Sequence, residues 1–139
     1  MNIQEIFKNC ESFLSVGKPA SELEVRNAET VLGVTFPKDY RLFLLQYGNV
    51  VLNSNEIFGL GCRETGYPNI IFVRKSLEKI DQTSYAGLIP ICTNGFGEYH
   101  FLIGAPSPYG QEGNIISLEN NQAEVIADSF TDFMEQLAQ

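Results

Sequence analysis

The chain has 139 residues, 44% of them hydrophobic, a length and apolar content that fit one domain with a buried core and exclude a disordered chain. Its formal net charge is −8, and the charge is uneven: every Lys and Arg lies between Lys8 and Lys79, while residues 80–139 hold Asp81, Glu98, Glu112, Glu119, Glu124, Asp128, Asp132 and Glu135 with no basic residue. Such a half disfavours binding to nucleic-acid phosphates or anionic membranes, which need cations, and suits a partner rich in Lys and Arg.

Ile3, Ile6, Phe7, Cys10, Phe13 and Leu14 fall on one face of a helix, which Gly17 and Pro19 stop. Ser21 with Glu24 forms a capping box for a second helix, with an inward face of Leu23, Ala28, Val31 and Leu32 and Gly33 as the left-handed residue that ends it. Pro37 opens a third helix carrying Tyr40, Phe43, Leu44 and Tyr47, closed by Gly48. Glu56–Leu60 is a short strand candidate. Residues 69–80 are ambiguous, since Ile70-Ile71-Phe72-Val73 favours a strand. The helix formers of Arg74–Ile80 decide for a helix.

Leu88–Thr93 is β-rich and Asn94-Gly95-Phe96-Gly97 is a turn signal. Glu98–Ile103 alternates, with Tyr99, Phe101 and Ile103 on one face. Asn114–Leu118 and Ala123–Ala127 flank a second hairpin turn at residues 119–122, and Ser129 with Asp132 caps a last helix bearing Phe130, Phe133, Met134 and Leu137. The expected fold is α+β: N-terminal helices packed on a mainly antiparallel β-sheet, with a C-terminal helix, in a single domain over residues 1–139.

Catalytic signatures are absent. Gly59-Leu60-Gly61 and Gly95-Phe96-Gly97 are followed at the decisive spacing by Glu64 and His100, so neither completes GxGxxG, and there is no GxxxxGK[ST] or GxSxG. Cys10, Cys62 and Cys92 are odd in number and widely spaced, with no CxxC and a single histidine, so the expectation is buried reduced thiols and neither metal nor cofactor. A Cys92–His100 nucleophile and base would need both on one face of a hairpin, which depends on the turn length. The acids read first as a solvated face and second as a docking face, in which Tyr85, Tyr99 and Tyr109 would be natural anchors. Tyr109 sits in a loop stiffened by Pro106 and Pro108. The polar, acidic start at residues 1–5 has no signal-peptide layout, and no apolar run reaches the ~18 residues needed to span a membrane, so a cytoplasmic protein is expected.

Several segments together resemble the SUKH superfamily, which includes the fungal cell-wall assembly regulator and many bacterial immunity proteins. Residues 29–44, ETVLGVTFPKDYRLFL, are similar to its Glu…Leu-Gly…Leu-Pro…Asp-Tyr…Phe-Leu signature. Ile57-Phe58-Gly59-Leu60 resembles its short strand ending in Gly-Leu, residues 94–99 its hairpin turn and aromatic strand, and residues 126–133, IADSFTDF, its closing helix start. The resemblance implies a SUKH-like fold whose motif is structural, and a binding function without catalysis: an immunity protein, or antitoxin, that neutralises a cognate protein toxin, often a nuclease. Such a protein would not contact nucleic acid itself. The residues expected to meet a basic toxin are Glu56, Glu98, Tyr99, His100, Tyr109, Glu112 and Glu119. The alternatives are a non-enzymatic regulatory adaptor for a cellular protein and a small hydrolase built on Cys92 and His100.

Overall fold

The computed structural model describes residues 2–80, 84–93 and 97–139. Helix α1 (Ile3–Asn9) starts at Asn2, whose side chain accepts the Glu5 N–H, and buries Ile3, Ile6 and Phe7. The expected continuation through Phe13 and Leu14 does not form. A 3-10 turn at Glu11–Phe13 follows, Phe13 is 67% exposed, and Leu14–Val16 becomes strand β1. Long-range pairing overrides the helical spacing: β1 finds a ladder against β2 (Val50–Leu52), with Leu14 opposite Leu52.

Helix α2 (Glu22–Leu32) begins in the predicted capping box, Ser21 Oγ accepting the Glu24 N–H and Glu24 Oε1 accepting the Ser21 N–H, and ends at Gly33 with φ 67°. Its buried stripe is Val25, Ala28 and Leu32, while Leu23, 72% exposed, and Val31 face outward, which corrects the expected inward face. Both stripes have helical spacing. Glu22, Val25 and Glu29 share one of them, and both glutamates pair with Arg41 of α3 (Lys38–Gln46), so that side turns toward α3. Helix α3 buries Tyr40, Phe43 and Leu44 as its spacing predicts.

Strand β3 (Asn55–Ile57) is shorter than the expected Glu56–Leu60. Phe58 N–H still donates to the Ile91 carbonyl at 2.8 Å, and beyond it the backbone bonds elsewhere, Gly59 N–H to the Pro68 carbonyl and Leu60 N–H to the Gly48 carbonyl, both at 2.9 Å. Residues 70–80 resolve as helix α4 (Ile70–Ile80), opened by the buried Asn69, whose Oδ1 accepts the Ile71 and Phe72 N–H groups. Strands β4 (Leu88–Thr93), β5 (Tyr99–Ile103), β6 (Ile115–Glu119) and β7 (Gln122–Ala127) follow. The expected turn at residues 94–97 lies largely outside the described residues. The second turn forms as predicted, with Asn120 and Asn121 at φ 52° and 64°. Helix α5 (Phe130–Ala138) is capped by Ser129 and buries Phe130, Phe133 and Met134.

The seven strands lie side by side in chain order, all antiparallel. Pro90, which cannot donate to a ladder, sits in β4 where the register shifts against β5. Helices cover one face, and the main core joins them to Leu52, Ile57, Ile89, Leu102 and Ile115. Because side chains alternate along a strand, the opposite face of β4–β6 gathers a second, smaller cluster of Leu88, Phe101, Ile103 and Ile116 with Tyr85. Leu77 of α4 touches both clusters.

The signature segment locks this arrangement. Glu29 Oε2 accepts the Phe36 N–H at 2.8 Å and Oε1 accepts from Arg41 at 2.9 Å. Tyr40 is fully buried and its hydroxyl donates to the Phe58 carbonyl at 2.9 Å. Asp39 Oδ2 accepts both the N–H and the hydroxyl of Thr131 at the start of α5, at 2.9 and 2.8 Å. A Cβ on Gly59 would fall onto the Gly48 carbonyl, so only glycine permits the two backbones to approach there.

Candidate functional site

The second, smaller cluster leaves a groove of about 440 Å³ between the last turn of α4 and the sheet. Helix α4 contributes Ser76, Leu77 and Ile80, the segment after it Tyr85, and β5 Tyr99 and Phe101. The β6–β7 hairpin supplies Leu118, Glu119, Asn120 and Asn121, and Tyr67 and Glu98 complete the lining. Alternation along β5 places Tyr99 and Phe101 on the groove side.

The walls are aromatic. Tyr85 stacks on Phe101 with ring centroids 5.5 Å apart, Tyr99 lies 6.5 Å from Phe101, and the Tyr67 and Tyr99 hydroxyls share a hydrogen bond of 3.0 Å. Partial burial, with a smaller contribution from that hydrogen bond, pushes the Tyr99 phenol up to about 12, so it stays neutral at physiological pH. Large apolar groups stand open at the rim, Ile80 at 81% and Tyr67 at 52% exposure. Among the described residues, the groove's charged side chains are Glu98 and Glu119, and no Lys or Arg lines it.

Of the seven residues expected from sequence, the structure therefore brings Glu98, Tyr99 and Glu119 together. It places the other four elsewhere. Glu56 is exposed on the outward side of β3. Glu112 lines a separate shallow cleft with Glu29, Thr35 and Gly104. Tyr109 packs half-buried against the second cluster, away from the groove. His100, one residue from Tyr99, points to the helix side and packs edge-on against Phe133 of α5, its ring centroid 5.7 Å away. Tyr67, Ile80, Leu118, Asn120 and Asn121 escaped the sequence reading as site residues. The one signal for them was the turn at residues 119–122, which gave a hairpin tip but not what it faced.

The register pairs Cys92 directly with His100 across β4 and β5. The pair is not set for nucleophilic chemistry. Burial pushes the Cys92 thiol up to about 11, and its Sγ donates to the Thr93 carbonyl. Burial also lowers the basicity of His100. A thiol that stays protonated beside a weakened base is a poor nucleophile. Cys10 and Cys92 are buried as expected, whereas Cys62 is only partly so. Among the described residues no group of three or more His, Cys, Asp or Glu could hold a metal ion, and no helix is long and apolar enough to cross a membrane.

Fold and groove together define a class: an α+β domain whose helices back one face of an antiparallel meander, leaving on the other a concavity lined by aromatic side chains and, among the described residues, by no Lys or Arg. Residues 22–134 match the SUKH_6 family, SMI1-KNR4 cell-wall, and the chain belongs to that family and to the SUKH superfamily. The superfamily covers toxin immunity proteins and SMI1/KNR4 regulators, which bind protein partners and are generally non-catalytic. No curated protein matches the chain.

Proposed function

We propose that the protein is an immunity protein: one cytoplasmic, non-enzymatic domain that binds a cognate basic toxin, a nuclease, and holds it inactive. The observation that carries this reading is the convergence of Glu98, Tyr99 and Glu119 on one concave surface, within a half of the chain that has no Lys or Arg. A nuclease presents cations where nucleic acid binds, and an acidic docking face competes for that surface and speeds encounter. Aromatic side chains beside the carboxylates supply the apolar contact that charge alone lacks.

The test is binding and inhibition of the toxin encoded beside this gene, measured from low to high salt. Affinity should fall steeply as salt rises. An affinity indifferent to salt rules out electrostatic docking, and an uninhibited toxin rules out immunity. The family's description as SMI1-KNR4 cell-wall favours a second reading, a regulatory adaptor for a cellular protein. Recovery of a housekeeping enzyme or signalling protein from the native strain, with no toxin gene nearby, selects that reading instead.

A further inference from the structure

We infer that the edge of β7 takes up an extended strand of the basic partner, with a Lys or Arg of that strand set opposite Glu124; this rests on the docking reading above and names what the partner presents. A sheet whose seven strands lie in chain order has two edges, β1 and β7. Strand β1 is three residues long and is followed closely by Lys18 and Pro19, devices that blunt an edge. Strand β7 is six residues long and carries neither Pro nor Lys. Gln122, Ala123, Glu124 and Val125 are all exposed, so both faces of that stretch stand open. Past the register shift α5 takes over, where Gln136 Nε2 donates to the Ile126 carbonyl at 3.1 Å.

The register fixes which backbone groups are free. Asn120-Asn121 is a two-residue turn, so the pair that closes it, Glu119 and Gln122, is hydrogen-bonded, and so is Ser117 with Glu124. The N–H and carbonyl groups of Ala123 and Val125 alternate with these and point away from β6, toward the place of an added strand. Backbone groups of this kind give an added strand its affinity, and side chains then select which strand. Ala123 and Val125 stand opposite Leu118 and Ile116, on the face of the second cluster, and suit β-branched partners. Glu124, on the other face, is exposed and makes no ion pair among the described residues. A second copy of the chain is a poor occupant. The antiparallel register in which both copies use Ala123 and Val125 sets Glu124 against its own copy, and like charges directly opposite repel. A Lys or Arg at that place turns the repulsion into attraction, and the chain itself has neither after Lys79.

The experiment joins amide hydrogen exchange to an NMR titration of the whole protein. In the free protein the Ala123 and Val125 N–H groups should exchange much faster than that of Glu124, which β6 holds. Slow exchange at both overturns the open edge, and in a dimeric protein it names a second copy as the occupant. The probe is the capped peptide Thr-Val-Arg-Val-Thr, which sets valines opposite Ala123 and Val125 and its arginine opposite Glu124. It should shift residues 122–125 in a saturable way, with a dissociation constant on the order of millimolar. The same peptide with glutamate at its centre, or with both valine amides N-methylated, should bind about tenfold more weakly or not at all. No saturable response to the arginine peptide, or an equal response to the N-methylated one, overturns strand addition. The toxin complex separates this inference from the reading beneath it. Glu124→Lys, altered only in surface charge, should weaken an established complex about tenfold, and the Ala123 and Val125 amides should become protected in the complex of the native protein. A complex that inhibits the toxin, ignores Glu124→Lys and leaves both amides open overturns the β7 edge and leaves immunity standing. A protein that binds the arginine peptide at β7 but inhibits no toxin overturns immunity and leaves the edge standing.

Discussion

Carboxylates at the α2–α3 shoulder and at the groove have the same chemistry and opposite employment. Glu29 and Asp39 spend their oxygens on backbone N–H groups, on Arg41 and on the Thr131 hydroxyl, at 2.8–2.9 Å, and so tie α2 to α3 and α3 to α5. Glu119 stands exposed on a hairpin tip, next to Asn120 and Asn121, which are equally exposed. The shoulder carboxylates belong to the family-like signature at residues 29–44, Glu98 to the family-like turn at residues 94–99, and Glu119 to neither. The signature at residues 29–44 thus marks where the fold is locked.

Removing Tyr40 should break the shoulder most severely. Its ring stacks on Phe43 and meets Phe36 and Phe130 edge-on, with no exposure at all. Tyr40→Ala should cost about 3–5 kcal/mol in urea unfolding, and the protein need not survive it. The milder Tyr40→Phe strands the Phe58 carbonyl and should cost about 1–3 kcal/mol. Asp39→Ala should fall in the same range, about 1–3 kcal/mol, because the first turn of α5 loses two hydrogen bonds to one oxygen. Glu119→Gln, in contrast, should shift stability by less than about 0.5 kcal/mol while reducing association with a basic partner. Equal stability losses in Asp39→Ala and Glu119→Gln would erase the distinction between the two regions.

The same division explains what could be read in advance. Caps and turns are local chemistry, so the Ser21–Glu24 box, Gly33, the Asn120-Asn121 turn and the Ser129 cap all stood where the sequence puts them. Strands β1 and β2 were invisible, because three residues such as Leu14-Ser15-Val16 acquire their structure only from a partner 35 or so positions away in the chain. The groove was half legible. Glu98, Tyr99 and Glu119 could be suspected from charge and side-chain type. That Tyr67 and Ile80 would face them depends on how α4 lies across the sheet, which no periodicity encodes. His100 shows the converse: it looked like a surface partner of Tyr99, but one step along a strand changes the face, and α5 covers it.

Cysteine labelling should show the same inside–outside contrast at smaller scale. Partly buried Cys62 should react with iodoacetamide before Cys10 and Cys92, and His100→Ala should not change the order, since the Cys92 thiol stays protonated near neutral pH. Rapid labelling of Cys92 in the native protein, lost in His100→Ala, would restore the hydrolase reading.

The mildest effect should come from protons on His100. Its Nδ1 is buried without a hydrogen-bond partner among the described residues, and burial lowers its pKa below the ordinary 6.5, against a weaker opposite pull from Glu98. Above that value both folded and unfolded chains hold a neutral imidazole, and His100 adds no pH dependence. Below it the unfolded chain takes up a proton that the folded chain resists, so stability declines on acidification until the folded-state pKa is passed. The slope from one such group cannot exceed about 1.4 kcal/mol per pH unit. Urea unfolding followed from about pH 8 to 5, a window in which histidine is the side chain with an ordinary titration, should show that decline in the native protein. His100→Gln should flatten it. An undiminished slope in the variant would mean that the imidazole is not held neutral against α5, and the helix-side placement of His100 would lose its energetic support.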